Sequence, residues 1–141
     1  ELVRPVERLA QNLFISPPAL AQHAALEAFN CTDELDARVA GYARSRELLL
    51  EALPQARFER LAPADGAFYI FADVRSLTDD SVAFCTRMLE ETGVAATPGI
   101  DFDPRRGGQF LRFSLAGSAE TTAEAARRLI AWQGGQRSSG G

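Results

Sequence analysis

Lysine is missing from this sequence altogether: all 15 Lys+Arg residues among its 141 are arginine. Lysine is ordinarily one of the commoner residues. Without it, this chain cannot carry any chemistry that needs a side-chain amine. Histidine occurs once, as His23, with no second histidine and no nearby cysteine or aspartate to complete a metal site or a proton relay. The two cysteines, Cys31 and Cys85, have no metal-ligand spacing and make no disulfide framework. A reducing cytoplasm is the simplest setting for them. No apolar run approaches the length needed to cross a bilayer, and no signal-peptide pattern opens the chain, so no membrane partner is expected. The formal charge of −4 is mild and argues against a nucleic-acid or other polyanion partner. An initiator methionine is missing as well: Glu1 already stands at the edge of a helical pattern.

What is present is enough for one domain with a real core, since 46% of the residues are hydrophobic. Leu2, Val6, Leu9 and Leu13 fall on one face of a helix that should begin around Arg4 or Pro5. After "FISPP", Ser16 is a candidate cap for a second helix with Pro17 at its first position, rich in alanine and ending near Asn30. Thr32 is the next candidate cap, with Asp33 and Glu34 favouring the positive end of the helix dipole. Leu35, Val39, Tyr42, Leu49 and Leu53 keep helical phase to Pro54, which predicts a strut over 33–53 about 30 Å long.

The second half alternates. "ARFERLA" reads as a short strand, "PADG" as a turn, and "AFYIFADV" as a strand apolar on both faces, so that both sides should be covered. Thr78 is placed to cap a helix closed by Gly93, with Val82, Cys85, Met88 and Leu89 as its buried stripe. "VAATPG" and "FLRFSLAG" are further extended pieces. Ser118 caps a last helix that turns Ala123, Ala126, Leu129 and Ile130 inward, and residues 133–141 form a flexible tail. The fold class is α/β, or more closely an α+β small domain: a small sheet covered by helices. The helices of residues 1–30 do not obviously belong to that sheet.

Arg112 is the most informative position. In "FLRFSL", Leu111, Phe113 and Leu115 alternate onto one face, while Phe110, Arg112 and Ser114 take the other. A guanidinium between phenylalanines is a good fork for a carboxylate; an exposed edge-strand arginine or a structural ion pair are the alternatives. Tyr69 shares a strand face with Ala67 and Phe71 and is either a hydroxyl donor in a site or a core aromatic with a hydrogen-bonded tip. Cys85 reads as an inert buried thiol. Pro98-Gly99 is a turn that could line a cleft, and Arg105 to Gly108 reads as an exposed loop tip.

Four stretches, "ISPPALAQHAALEAF", "DGAFYIFADV", "LEETGVAATPGIDF" and "FLRFSLAGS", stand in the order and spacing of the class I/II aminotransferases. The chain resembles the C-terminal portion of that pyridoxal-phosphate-dependent family, of the aspartate aminotransferase fold (fold type I), from residue 1 to about 132. The resemblance implies that residues 1–30 are the helical end of a large domain that is otherwise missing. It implies that 31–132 are the small domain with its linking helix 33–53. It gives Arg112 the role of binding the substrate's carboxylate. It places the Schiff-base lysine and the residues that cradle the cofactor upstream, so this chain has no catalytic or cofactor-binding residue of its own and should not transaminate alone. Gln11 stands near the position where dicarboxylate-specific members carry an arginine, which disfavours aspartate as the substrate. The resemblance also implies an amino acid and a 2-oxo acid as partners, and a homodimer. A related pyridoxal-phosphate lyase or decarboxylase and a non-catalytic regulatory module are the alternative readings.

Overall fold

The computed structural model of the chain describes residues 1–135. They form two compact units, Glu1–Arg38 and one that begins at Val39, divided within a single long helix.

The first unit holds helices α1 (Val3–Leu13) and α2 (Ala19–Glu27), a 3-10 turn over Ala28–Asn30, and the start of α3 (Thr32–Gln55). Pro5 falls in the first turn of α1, where its missing N–H has no helical partner to lose. Ser16 does not cap α2: the helix begins only at Ala19, after an extended Pro18, and no side chain caps it. The reason is local. A residue before proline is pushed out of the helical region, so neither Ser16 nor Pro17 can join the helix. Thr32 is itself helical, and the first carbonyl is that of Cys31, which accepts from the Leu35 N–H. Leu2, Val6, Leu9 and Leu13 are all exposed, as are Leu35 and Val39 at the start of α3.

Helix α3 passes through Pro54 rather than stopping there. Proline in the last turn leaves few following bonds to break, and Phe58 closes the end by donating its N–H to the Leu53 carbonyl. Burial along α3 is confined to Ser45, Leu49, Ala52 and Leu53.

The second unit is built on a four-stranded antiparallel sheet in the order β1 (Arg60–Leu61), β2 (Tyr69–Asp73), β4 (Phe110–Ser114), β3 (Thr97–Pro98). Its core lies on one face. Ile70 and Ala72 of β2 and Leu111 and Phe113 of β4 are buried there with Leu53, Phe58, Phe84, Met88 and Leu129. Phe58 sits edge-on to both Phe84 and Phe113. Each such side chain, fully buried, contributes about 1.5–3 kcal/mol. Helices α4 (Ser81–Thr92) and α5 (Ala119–Gly135) supply the outer layer of this core.

The cap of α4 is Asp80, not Thr78. The Asp80 carboxylate accepts from the N–H groups of Val82 and Ala83, while the Thr78 hydroxyl braces Asp80 by accepting its N–H. A carboxylate at the helix start gains more from the dipole than a hydroxyl does. Gly93 ends α4 in the left-handed conformation as expected. The buried stripe of α4 is Ser81, Phe84, Cys85 and Met88, whereas Val82 and Leu89 are exposed. Ser118 caps α5 by accepting the Thr121 N–H, and its carbonyl takes that of Thr122. In α5, Ala126 and Leu129 are buried and Ala123 is exposed. The helix continues through Gly135; the rest of the expected tail, 136–141, lies outside the described residues. Among the described residues no helix is long and apolar enough to cross a membrane.

Candidate functional site

The opposite face of the sheet is the one the helices leave open. "AFYIFADV" is not covered on both sides: Ile70 and Ala72 are buried, but Tyr69, Phe71 and Asp73 are only partly covered. Strand register sets Phe71 and Thr97 on either side of Arg112, and Tyr69 opposite Ser114. Strand alternation then gathers Tyr69, Phe71, Asp73, Phe110 and Arg112 on this face.

Arg112 is neither of the bland alternatives. Its strand β4 lies inside the sheet between β2 and β3, so it is no edge strand. Among the described residues it has no carboxylate partner and no side-chain hydrogen bond; every ion pair found involves other arginines. The half-buried guanidinium instead lies over two aromatic rings, with its carbon 4.3 Å from the centre of Phe102 and 5.2 Å from that of Tyr69. Phe71 meets Tyr69 and Phe102 edge-on, at 5.8 Å from each. Stacking against ring faces leaves the in-plane N–H donors of a guanidinium free.

The strand carboxylate on this face is engaged elsewhere. Asp73 is chelated by Arg75, whose Nη2 is 2.5 Å from Oδ2 and whose Nε is 3.0 Å from Oδ1, and Arg60 approaches from β1 at 3.3 Å. The Arg75 hydrogen bonds, against the opposing effect of burial, hold the Asp73 carboxyl down at about 2.

Phe102 was not singled out by sequence reasoning, and the loop that carries it is only in part the exposed tip expected from "RRGG": Arg105 and Arg106 are exposed, but Gly107 is buried. A 3-10 turn over Gly99–Asp101 packs against a second over Gly107–Gln109, with Gly99 and Gly107 both buried. A Cβ on Gly107 would lie 2.3 Å from the Gly99 backbone, and one on Gly99 would lie 2.7 Å from the Gly107 carbonyl oxygen. Asp103 clips the loop by accepting from the N–H groups of Arg105 and Arg106, and the Ser81 hydroxyl donates to the Gly107 carbonyl at 3.0 Å. The signal for this in the sequence is the pair of separated glycines around an Asp-Phe-Asp run. Phe102 therefore emerges from a braced loop while remaining half exposed.

Tyr69 is not a core aromatic with a bonded tip: it is half-buried on the open face, and its hydroxyl has no partner among the described residues. Cys85 is buried, and desolvation pushes its thiol up to about 11, as an inert thiol requires. His23 is exposed on α2, and Gln11 is exposed on α1 in the first unit; the arrangement around Arg112 is built wholly from the second.

The family model described as aminotransferase class I and II matches residues 1–129. The chain is 50% identical to the valine–pyruvate aminotransferase of Mycobacterium tuberculosis over 93% of this chain and 34% of that protein. It is 34% identical to the (5-formylfuran-3-yl)methyl phosphate transaminase of Methanocaldococcus jannaschii over 92% of this chain and 34% of that one. Among solved structures, an aminotransferase from Mycobacterium tuberculosis superposes with a TM-score of 0.84 at 50% identity, covering 94% of this chain and 35% of that chain. The aspartate aminotransferase of Thermotoga maritima superposes with a TM-score of 0.70 at 31% identity, covering 92% and 32%. The chain belongs to the class I and II aminotransferases. It spans about a third of the length of the curated relatives it matches.

Proposed function

We propose that this chain is the C-terminal, substrate-carboxylate-binding part of a pyridoxal-phosphate-dependent aminotransferase. The whole protein moves an amino group between an amino acid and a 2-oxo acid. The observation that carries this reading is Arg112: a guanidinium on an interior strand, held by aromatic rings, with no anionic partner among the described residues. A buried or half-buried cation without a counter-ion is costly, and a carboxylate with two parallel acceptors matches its free edge.

The cofactor supplies the means of holding the amino group between the two half-reactions. With no lysine in the sequence, the residues of this chain do not fit its covalent anchor. Residues 1–30 are proposed as the helical end of a large domain, and 31–132 as the small domain. A homodimer in the cytoplasm is the proposed state; two unpaired cysteines suit that compartment. Apolar substrates are favoured over aspartate. The rings of Tyr69, Phe71 and Phe102 around Arg112 support this, as do Gln11 in place of an arginine and the valine–pyruvate aminotransferase activity of the Mycobacterium tuberculosis relative.

The test is kinetic, on the full-length protein that carries this chain. Arg112→Ala should lower kcat/KM for valine with pyruvate by about 10²- to 10⁴-fold, the loss of two charge-assisted hydrogen bonds. Arg112→Lys should recover only part of it, because an ammonium cannot make the fork. This chain alone, with added cofactor, should transfer no amino group. A fall of less than about threefold in Arg112→Ala, against the expected bidentate contribution, contradicts the assignment.

A further inference from the structure

We infer that Phe102 is a positioning residue for Arg112: its ring fixes the plane of the guanidinium without using any of its donors. The inference rests on the carboxylate-binding reading of Arg112. Four features of the structure lead to it. The contact is the closer of the two cation–ring contacts that Arg112 makes, at 4.3 Å against 5.2 Å for Tyr69. Phe102 is 50% exposed, so the core does not require it at this place. Its backbone is nevertheless fixed, its N–H donating to the Gly99 carbonyl at 3.0 Å within the loop that Gly99, Gly107 and Asp103 lock. Finally, Phe71 stands edge-on between Phe102 and Tyr69, so the rings buttress one another.

The physical logic is one of competition for donors. An arginine that must receive a carboxylate needs to be pre-oriented, or the ligand loses affinity in ordering a long side chain. A neighbouring aspartate would orient it, but only by occupying the N–H groups the ligand needs. An aromatic face orients it through the ring quadrupole, which acts on the π face of the guanidinium and leaves its edge open. The arrangement of Asp73 agrees with this. The one carboxylate on the same sheet face is chelated by Arg75 and Arg60 and is thereby withheld from Arg112.

The experiment compares Phe102→Leu, Phe102→Tyr and Arg112→Ala in the full-length protein, using pyruvate and its uncharged amide, pyruvamide, as competing ligands. Leucine keeps apolar bulk and removes the quadrupole; tyrosine keeps it. Phe102→Leu should raise KM for pyruvate and weaken its binding by about 3- to 30-fold, with kcat changed by less than about twofold, the pattern of an interaction shared by ground and transition states. Binding of pyruvamide should be unmoved, which a general loosening of the loop would not allow. Phe102→Tyr should restore pyruvate affinity to within about twofold of wild type. If Phe102→Leu binds pyruvate as wild type while Arg112→Ala does not, the positioning role is overturned and the carboxylate reading stands. If leucine and tyrosine variants are equally impaired, or pyruvamide is weakened as much as pyruvate, Phe102 acts by packing and the inference is overturned. If Arg112→Ala leaves pyruvate binding intact, the carboxylate reading itself fails, and the inference with it.

Discussion

Arg112 and Asp73 lie on the same face of the sheet, two charges of opposite sign, yet neither is the other's partner. Asp73 is taken by Arg75, two residues along its own chain, and by Arg60 on the neighbouring strand. The hydrogen bonds from Arg75 depress the Asp73 carboxyl from its ordinary 3.8 to about 2. Because the folded value is the lower one, its contribution to stability is fully present above about pH 4 and is lost as pH falls toward about 2. Asp73→Asn should therefore lower stability at neutral pH and bring the two proteins together at about pH 2, as measured by denaturant midpoints across the acid range. Asp103, by the backbone N–H groups of Arg105 and Arg106, and Glu124, by side-chain hydrogen bonds from Arg127 and Arg128, are also held below their usual range, so both proteins retain some acid sensitivity, and the difference between the two curves isolates Asp73. A constant offset at all pH values would mean that the Arg75 pair is not what Asp73 contributes. At this scale the sequence made the strand face of Arg112 legible, because Leu111 and Phe113 alternate with it and are buried while it is not. It was a poor guide to Asp73 and Phe102, whose roles depend on which strand and which loop come beside β2 and β4.

At the scale of elements, local chemistry was legible wherever a short-range signal acts alone. Gly93 as a left-handed stop and Ser118 as a cap fall where the sequence places them. Ser16 and Thr78 fail for reasons equally local: tandem prolines delay α2, and Asp80 outcompetes a hydroxyl for the first N–H groups of α4. The loop between β3 and β4 was the least legible element. Arg105 to Gly108 has the composition of a solvent-facing tip, but Gly107 is buried because the two 3-10 turns must approach backbone to backbone. The expected consequence is specific. Gly107→Ala places a Cβ 2.3 Å from the Gly99 backbone, closer than atoms tolerate, and the turns must separate. Destabilisation of about 1–3 kcal/mol is expected from such overpacking. Thermal or urea unfolding should show it, whereas Gly108→Ala, whose Cβ would meet only the Asp79 carbonyl at 3.0 Å, should cost less. Equal effects at both positions would contradict the close approach.

At the scale of the whole molecule, the periodic helices and alternating strands made the α+β class and the four-stranded sheet readable in advance. What could not be read was which face of the sheet the helices would leave open. Phe71 is as apolar as Ile70, and the difference in their burial lies in what packs against each face. Arg112 lies on that open face. The absence of lysine leaves this chain without a side-chain amine, and the charge proposed to bind a carboxylate is that of Arg112. The most direct measurement is a crystal structure of the full-length protein with a carboxylate substrate analogue bound. The ligand's two carboxylate oxygens should both lie about 2.7–2.9 Å from donors of Arg112, with the guanidinium still resting on Phe102. A carboxylate held by another residue, with Arg112 turned away or paired to a protein acid, would contradict the assignment.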